Sequence, residues 1–440
     1  MKRKQMMGAI ISKKSSKKAD KADLPPPPPA LEAKAELVGS SGGVSEGSDV
    51  LANFLGMGEW RAAKVVKVHT DGSLDILYSH GVKEVKVGAS RTKATGDGTN
   101  DQVAEAKDTK KAKAAAAAAA AAARGQEVPL LTPRLVVDCQ NQLGESPVWD
   151  AAAGVLSWVD IEGKAIWQWD PTTPGEEAKK HELEERPGCM ALTNEPGTLL
   201  AALDVTGLAT FRPAVGGAEG VTALCPFEAE VANTRANDGR VDRQGRFLIG
   251  GYNETWRTDG GQETSGYYRL DGDGALTEVL DFKFRCANGT AFSPDGTKIY
   301  LNDSPKKEVW RFDYNTETGT LSNKKTIFTV PDGMEGVPDG ACTDAEGYLW
   351  VAYNSGGVVC RHHPETGAVA ARVAMEWKGV TSCSVGGADL DTLYITTNRR
   401  RMTPEEEAAH PRAGGLYAVA LADLAPELRG LPEPKFKLAS

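Results

Sequence analysis

The chain has no C-x-x-C pair, no run of about 18 apolar residues and few aromatics, which make up 7% of its 440 residues. Its seven cysteines (Cys139, Cys189, Cys225, Cys286, Cys342, Cys360 and Cys383) stand singly. An odd number without metal-type spacing gives neither a disulfide framework nor a cysteine-ligated zinc site, and points to a reducing compartment. The absence of a long apolar run excludes a membrane-spanning helix. The N-terminal MKRKQMMGAIISKKSSKK is basic but lacks the apolar core of a secretory signal, so a cytoplasmic location is expected, with the nucleus left open. Scarce aromatics against 48 glycines suit tight turns better than long helices.

Charge is divided unevenly. Residues 1–124 hold 21 Lys/Arg against 14 Asp/Glu, whereas the remainder holds 30 against 46. An acidic body repels phosphate backbones, so no direct nucleic-acid binding is expected of the large part. Low-complexity stretches mark the divisions: a polyproline run Pro25–Pro29, a Gly/Ser stretch Gly39–Asp49 and ten alanines Ala114–Ala123. The expected organisation is a basic, Pro- and Gly/Ser-rich segment (1–47), a small β module (48–93), an Ala-rich linker (94–130), a large repeated β domain (131–432) and a tail (433–440).

The large part repeats itself. PVWDAAAGVLSWVDIEGKAIWQWDP from Pro147, MALTNEPGTLLAALDVTGLATFRP from Met190 and RVDRQGRFLIGGYNE from Arg240 are followed by similar units from Ala291, Cys342 and Ser384. Each combines short alternating strands with Asp/Glu/Gln-Gly turns, where Gly245, Gly296 and Gly347 supply the positive φ of a tight hairpin. Six units at a spacing of roughly 45–50 residues predict an all-β fold, a six-bladed β-propeller. Closing the ring requires the early strand Pro133–Cys139 to complete the last blade beside Gly415–Leu421.

A propeller gathers the starts of its innermost strands at one end of the channel. Here they read LGESPVW (from Leu143), TRANDGRVD (from Thr234), CANGTAFSPDG (from Cys286) and VPDGACTDAEG (from Val337), which brings Glu145, Asn237, Asn288 and Asp339 together. Asp-Gly and Asn-Gly pairs also build turns by bonding their own backbone. Four equivalent placements in separate blades favour a cation instead, because clustered buried carboxylates are costly without one. Two carboxylates with amide oxygens make a hard site suited to Ca²⁺ or Mg²⁺, with Mn²⁺ or Zn²⁺ as alternatives. None of the six histidines falls at a blade start, so no Ser-His-Asp arrangement is visible. His362 and His363 read as surface or packing residues, and most cysteines as core strand residues.

The segments LGESPVWD, RANDGRVDRQGRF, NGTAFSPDG, VPDGACTDAEGYLWVA and TSCSVGGADLDTLYITT, in this order, resemble the regucalcin/gluconolactonase family of calcium-dependent six-bladed propellers over about residues 131–432. That resemblance implies Glu145, Asn288 and Asp339 as metal ligands, and Arg235 and Asn237 as substrate contacts. It implies a metal-polarised lactone carbonyl attacked by water, with Asp339 the candidate for orienting or deprotonating that water. The family's second glutamate of Met-Ala-Glu-Glu, which binds sugar hydroxyls, is matched by Thr255 in GGYNET, with Glu254 beside it as a candidate substitute.

The piece EWRAAKVVKVHTDGSLDILYSHGVKEVKV (59–87) reads as three short strands with turns at Asp71-Gly72 and His80-Gly81, and resembles a Tudor-type barrel. That resemblance implies a methylated-peptide partner held by Trp60 and Tyr78 through cation–π contact; the same two rings equally suit the core of a tiny barrel. The expected function is hydrolysis of a sugar-type lactone. The alternatives are a calcium-binding regulatory protein without turnover, or a propeller scaffold recruited through the Tudor-like piece.

Overall fold

The computed structural model describes residues 49–53, 60–68, 74–78, 83–87, 92–94, 128–173, 177–330 and 334–439. They belong to two units divided between Lys110 and Lys111.

The first unit holds one antiparallel five-stranded sheet, with Lys83–Val87, Leu74–Tyr78, Trp60–Val68, Asp49–Asn53 and Thr92–Ala94 side by side in that order. Val65 and Leu74 are buried and Lys64, Lys67 and Val68 exposed, and the pairing of Trp60–Val68 with Leu74–Tyr78 shifts register between Val65 and Lys67. Trp60 pairs with Asn53 and Tyr78 with Ala63 in the backbone register. Their side chains, and with them the expected aromatic pocket, lie outside the described residues.

The second unit is a closed ring of six antiparallel-meander sheets. The innermost strands are Gly144–Asp150, Pro187–Leu192, Thr234–Val241, Ala287–Phe292, Val337–Thr343 and Val380–Gly386. Large side chains fill the spaces between blades: Leu248, Tyr267, Phe284 and Trp310 form one such layer, and Trp149, Trp158 and Tyr394 lie in another. Gly245, Gly296 and Gly347 have φ of 91°, 71° and 84°, as their hairpins demand. Two of these turns hang on a buried aspartate. Asp242 accepts the Gln244 and Arg246 N–H groups, and Asp344 those of Glu346 and Tyr348.

Ring closure follows the expectation. Arg134–Val137 forms the outer strand of the sixth blade, with Val137 opposite Leu416 and Leu135 opposite Tyr417. Leu130–Leu131 adds a parallel strand to the fifth blade, against Val369–Ala374.

The C-terminus departs from the expectation. Residues 433–439 are not a free tail but lie across the propeller. Phe436 is fully buried among Cys189, Leu200, Phe247 and Leu270, and its N–H donates to the Leu192 carbonyl at 2.8 Å. Glu433 meets Arg240 of the third inner strand at 2.6 Å. One aromatic among lysines and prolines carries no strand periodicity, so sequence pattern alone does not show that a cleft between blades receives it. His362 proves to be a packing residue. It stacks on Phe328 with centroids 4.1 Å apart, hydrogen-bonds the Tyr353 hydroxyl, and is pushed down to about 4 by burial. Among the described residues no helix is long and apolar enough to cross a membrane.

Candidate metal and substrate site

All six inner strands break register near their starts. The shifts fall at Glu145/Val148, Pro187/Cys189, Ala236/Gly239, Asn288/Ala291, Pro338/Ala341 and Val380/Ser382. A bulge frees a residue from strict alternation and re-aims its side chain, and the residues freed in the third and fifth blades include Asn237 and Asp339, which line the channel cavity. Two glycines permit the crowding this creates. A Cβ on Gly289 (φ 67°) would come within 2.3 Å of the Asn302 amide, and one on Gly340 within 2.1 Å of the Ser382 hydroxyl.

Glu145, Arg235, Asn237, Asn288 and Asp339 all line one cavity of about 540 Å³ at this end of the channel. Hydrogen bonds tie them into a chain. Arg235 Nη1 donates to Asn237 Oδ1 at 2.9 Å; Asn237 Nδ2 donates to Asn288 Oδ1 at 3.1 Å; Asn288 Nδ2 donates to Ser304 Oγ at 2.9 Å. Asp339 Oδ2 accepts from Asn354 Nδ2 at 2.8 Å, and its backbone carbonyl accepts from Asn302 at 3.0 Å. Both carboxylates are held in an unfavourable state. Burial, with Asp339 and Asp238 nearby, pushes the Glu145 carboxyl well above its usual range. Burial, reinforced by Asp238 and opposed by Asn354 and Arg235, lifts Asp339 to about 7. Asp238 is itself raised by burial and accepts the Thr290 N–H at 2.7 Å.

Among the described residues no three His, Cys, Asp or Glu side chains converge as a metal group. The donor set offered is instead two carboxylates with amide oxygens. It fits a hard divalent cation, which would favour the ionised form of both strained acids.

Glu254 corrects the expectation. It does not line the cavity; Arg186 grips both its oxygens at 2.8 and 3.0 Å, and Arg235 Nε stands 3.8 Å away. Burial alone would raise its carboxyl, but Arg186 and Arg235 outweigh that and hold it below the ordinary value. Glu254 therefore steadies Arg235 rather than facing a ligand. Thr255 is likewise occupied, its hydroxyl bonded to Asn253 and Asp259. The residues just beyond, Trp256 and Arg257, line the cavity instead, together with Tyr252 and Trp377.

Asn302 and Asn354 escaped the sequence reading, as did Cys286, which lines the cavity rather than packing in the core. For Asn354 the signal is legible in retrospect. The second strands Val155–Asp160, Phe247–Asn253, Lys298–Asp303 and Leu349–Asn354 all end in an amide or carboxylate. Such an end lies beside the start of the inner strand, so it supports the residue presented there.

A six-bladed propeller with an oxygen-donor site at one mouth of its channel is the class that the fold and site define. Residues 143–399 match the family model described as the SMP-30/gluconolactonase/LRE-like region, and the chain belongs to that family. It is 34% identical over 285 residues to regucalcin of Xenopus laevis, covering 64% of this chain and 92% of that one. It is 31% identical over 287 residues to "Putative sugar lactone lactonase YvrE" of Bacillus subtilis, covering 65% and 94%. In structure it is similar to a calcium-binding regucalcin from Agrobacterium tumefaciens, with a TM-score of 0.63 and 24% identity over 70% of this chain and 99% of the other.

Proposed function

We propose that this chain is a divalent-metal-dependent hydrolase that opens a sugar-type lactone. The observation that carries the reading is the convergence of Glu145, Asn288 and Asp339 with the buried Arg235 in one aromatic-walled cavity. Glu145, Asn288 and Asp339 would hold the cation, Ca²⁺ being the first expectation for such oxygen donors. A cation bound there supplies Lewis acidity toward the lactone carbonyl and stabilises negative charge on its oxygen.

The chain's own groups do the rest. Arg235, with its Nη1 bonded to Asn237 and its Nε beside Glu254 at 3.8 Å, lines the cavity and offers the rest of its guanidinium to substrate oxygens. Asn354 fixes the Asp339 carboxylate, which takes a proton from the attacking water. Water adds to the acyl carbon, the ring C–O bond breaks, and the ring oxygen takes that proton back from Asp339 and leaves as a hydroxyl. The new acid ionises, so each turnover releases one proton.

Proton release on adding an aldonolactone, with and without chelator and with calcium restored, tests this directly. Chelator-sensitive turnover is expected. Calcium binding without turnover would favour the regulatory reading, which the withdrawal of Glu254 onto Arg186 supports.

The carboxylates also dictate a pH dependence. In the metal-free fold, burial favours neutral Asp339, with a value of about 7. Its contribution to stability is therefore full below the unfolded value of about 3.9 and is lost as pH rises through about 7. Cation binding must displace that proton. Calcium should accordingly raise the melting temperature more at pH 8 than at pH 5.5. Equal increments at the two pH values would show that Asp339 carries no proton for the cation to displace.

A further inference from the structure

The cavity mouth is basic although residues 125–440 hold 30 Lys/Arg against 46 Asp/Glu. Arg235, Arg257, Lys307, Lys378, Arg400 and Arg401 line it, against the carboxylates Glu145, Asp339 and Glu406. Two of the cations are matched at the rim: Lys378 by Glu406 at 2.7 Å, and Arg400 by Glu162 at 3.1 Å. Arg257, Lys307 and Arg401 have no carboxylate partner among the described residues. They come from separate blades, yet each follows the polar end of a second strand, after Asn253, Asp303 and Asn398.

Arg257 and Arg401 are exposed and Lys307 is half-buried. Arg257 stacks on the Trp256 ring at 4.2 Å and donates to the Tyr252 hydroxyl at 3.2 Å. Lys307 and Arg401 sit at φ of 56° and 61° in their loops.

A second observation points the same way. Arg235 is only 5% exposed yet lines the cavity, with its Nη1 bonded to Asn237 and its Nε 3.8 Å from Glu254. A buried guanidinium in a cavity wall favours an acceptor-rich ligand. With a divalent cation balancing Glu145 and Asp339, the remaining positive field would face the substrate.

We infer that the cavity selects a lactone bearing a second anionic group, carboxylate or phosphate, remote from the reacting carbonyl and received by Arg257, Lys307 and Arg401. The inference rests on the lactonase reading for its reaction but not for its anion recognition.

The test compares kcat/KM of the full-length, calcium-supplied protein for gluconolactone, 6-phosphogluconolactone and glucarolactone. In parallel, calorimetry measures binding of the ring-opened gluconate, 6-phosphogluconate and glucarate. A charged lactone should exceed the neutral one by at least about tenfold, the scale of one or two charge-assisted hydrogen bonds. That ratio should shrink in about 0.5 M salt and in the Lys307→Gln/Arg401→Gln double variant. Arg257→Gln, at a separate blade, should compress the same ratio, so misfolding of one variant does not decide the matter. The better of the two charged substrates identifies phosphate or carboxylate. Equal kcat/KM for neutral and charged lactones overturns the inference and leaves the lactonase reading standing. If no lactone is hydrolysed, tighter binding of the doubly anionic acids than of gluconate upholds the anion site, and equal binding overturns it.

Discussion

Replacing Asp339 by Asn is expected to lower lactone kcat/KM by at least about a thousandfold, the scale on which a ligand-and-base carboxylate contributes, and to weaken calcium binding severely. The change is nearly isosteric. It removes one negative charge from a side chain that is 6% exposed and oriented by Asn354 at 2.8 Å. The metal-free variant should melt no lower than the parent above pH 7, because repulsion with Glu145 and Asp238 is relieved. Loss of activity together with an unchanged metal-free melting temperature therefore separates a site defect from a folding defect. Steady-state kinetics, calcium calorimetry and thermal melts read the three quantities. Retention of activity within about tenfold would remove Asp339 from the reaction, since removal of a group acting in proton transfer typically costs 10²–10⁴-fold.

The second large effect concerns ring closure. A chain beginning at residue 140 loses Arg134–Val137, the outer strand of the sixth blade, and Leu130–Leu131, which extends the fifth. Leu131 is 5% exposed, and Leu135, Val136 and Val137 pack against the core at this junction. Loss of these apolar contacts, with an unpaired sheet edge left behind, should cost about 3–6 kcal/mol. That is comparable with the whole stability of a domain. A chain beginning at residue 126 keeps both strands and should unfold at the parental urea midpoint. If the two truncations unfolded at the same denaturant concentration, the N-terminal strands would not be what closes the ring.

Much of the fold was legible because its causes are local. Hairpin turns at Gly245, Gly296 and Gly347 require a positive φ and advertise it through the preceding Asp, Gln or Glu pattern. Short alternating strands then repeat at a fixed spacing, which only a radial array explains. The ring itself made part of the site legible, since equivalent positions of successive inner strands must converge: Glu145, Asn237, Asn288 and Asp339 do line one cavity.

What escaped the sequence was decided by partners far along the chain. Glu254 has the right chemistry and nearly the right position to face a ligand, yet Arg186, 68 residues earlier, claims both its oxygens. Phe436 offers no pattern at all, but a cleft between the second and third blades buries it completely. The basic mouth is hidden in an acidic composition because Arg257, Lys307 and Arg401 lie in three separate loops and are brought to one cavity only by closure of the ring.

The sequence by itself thus determined the blades, their turns and the ring of inner-strand residues, since backbone conformation and side-chain alternation act over a few residues. Only the tertiary structure decided which carboxylates face the cavity, which are neutralised by arginine and where cations gather. Electrostatic pairing depends on distance in space, and in a propeller that distance is unrelated to separation along the chain.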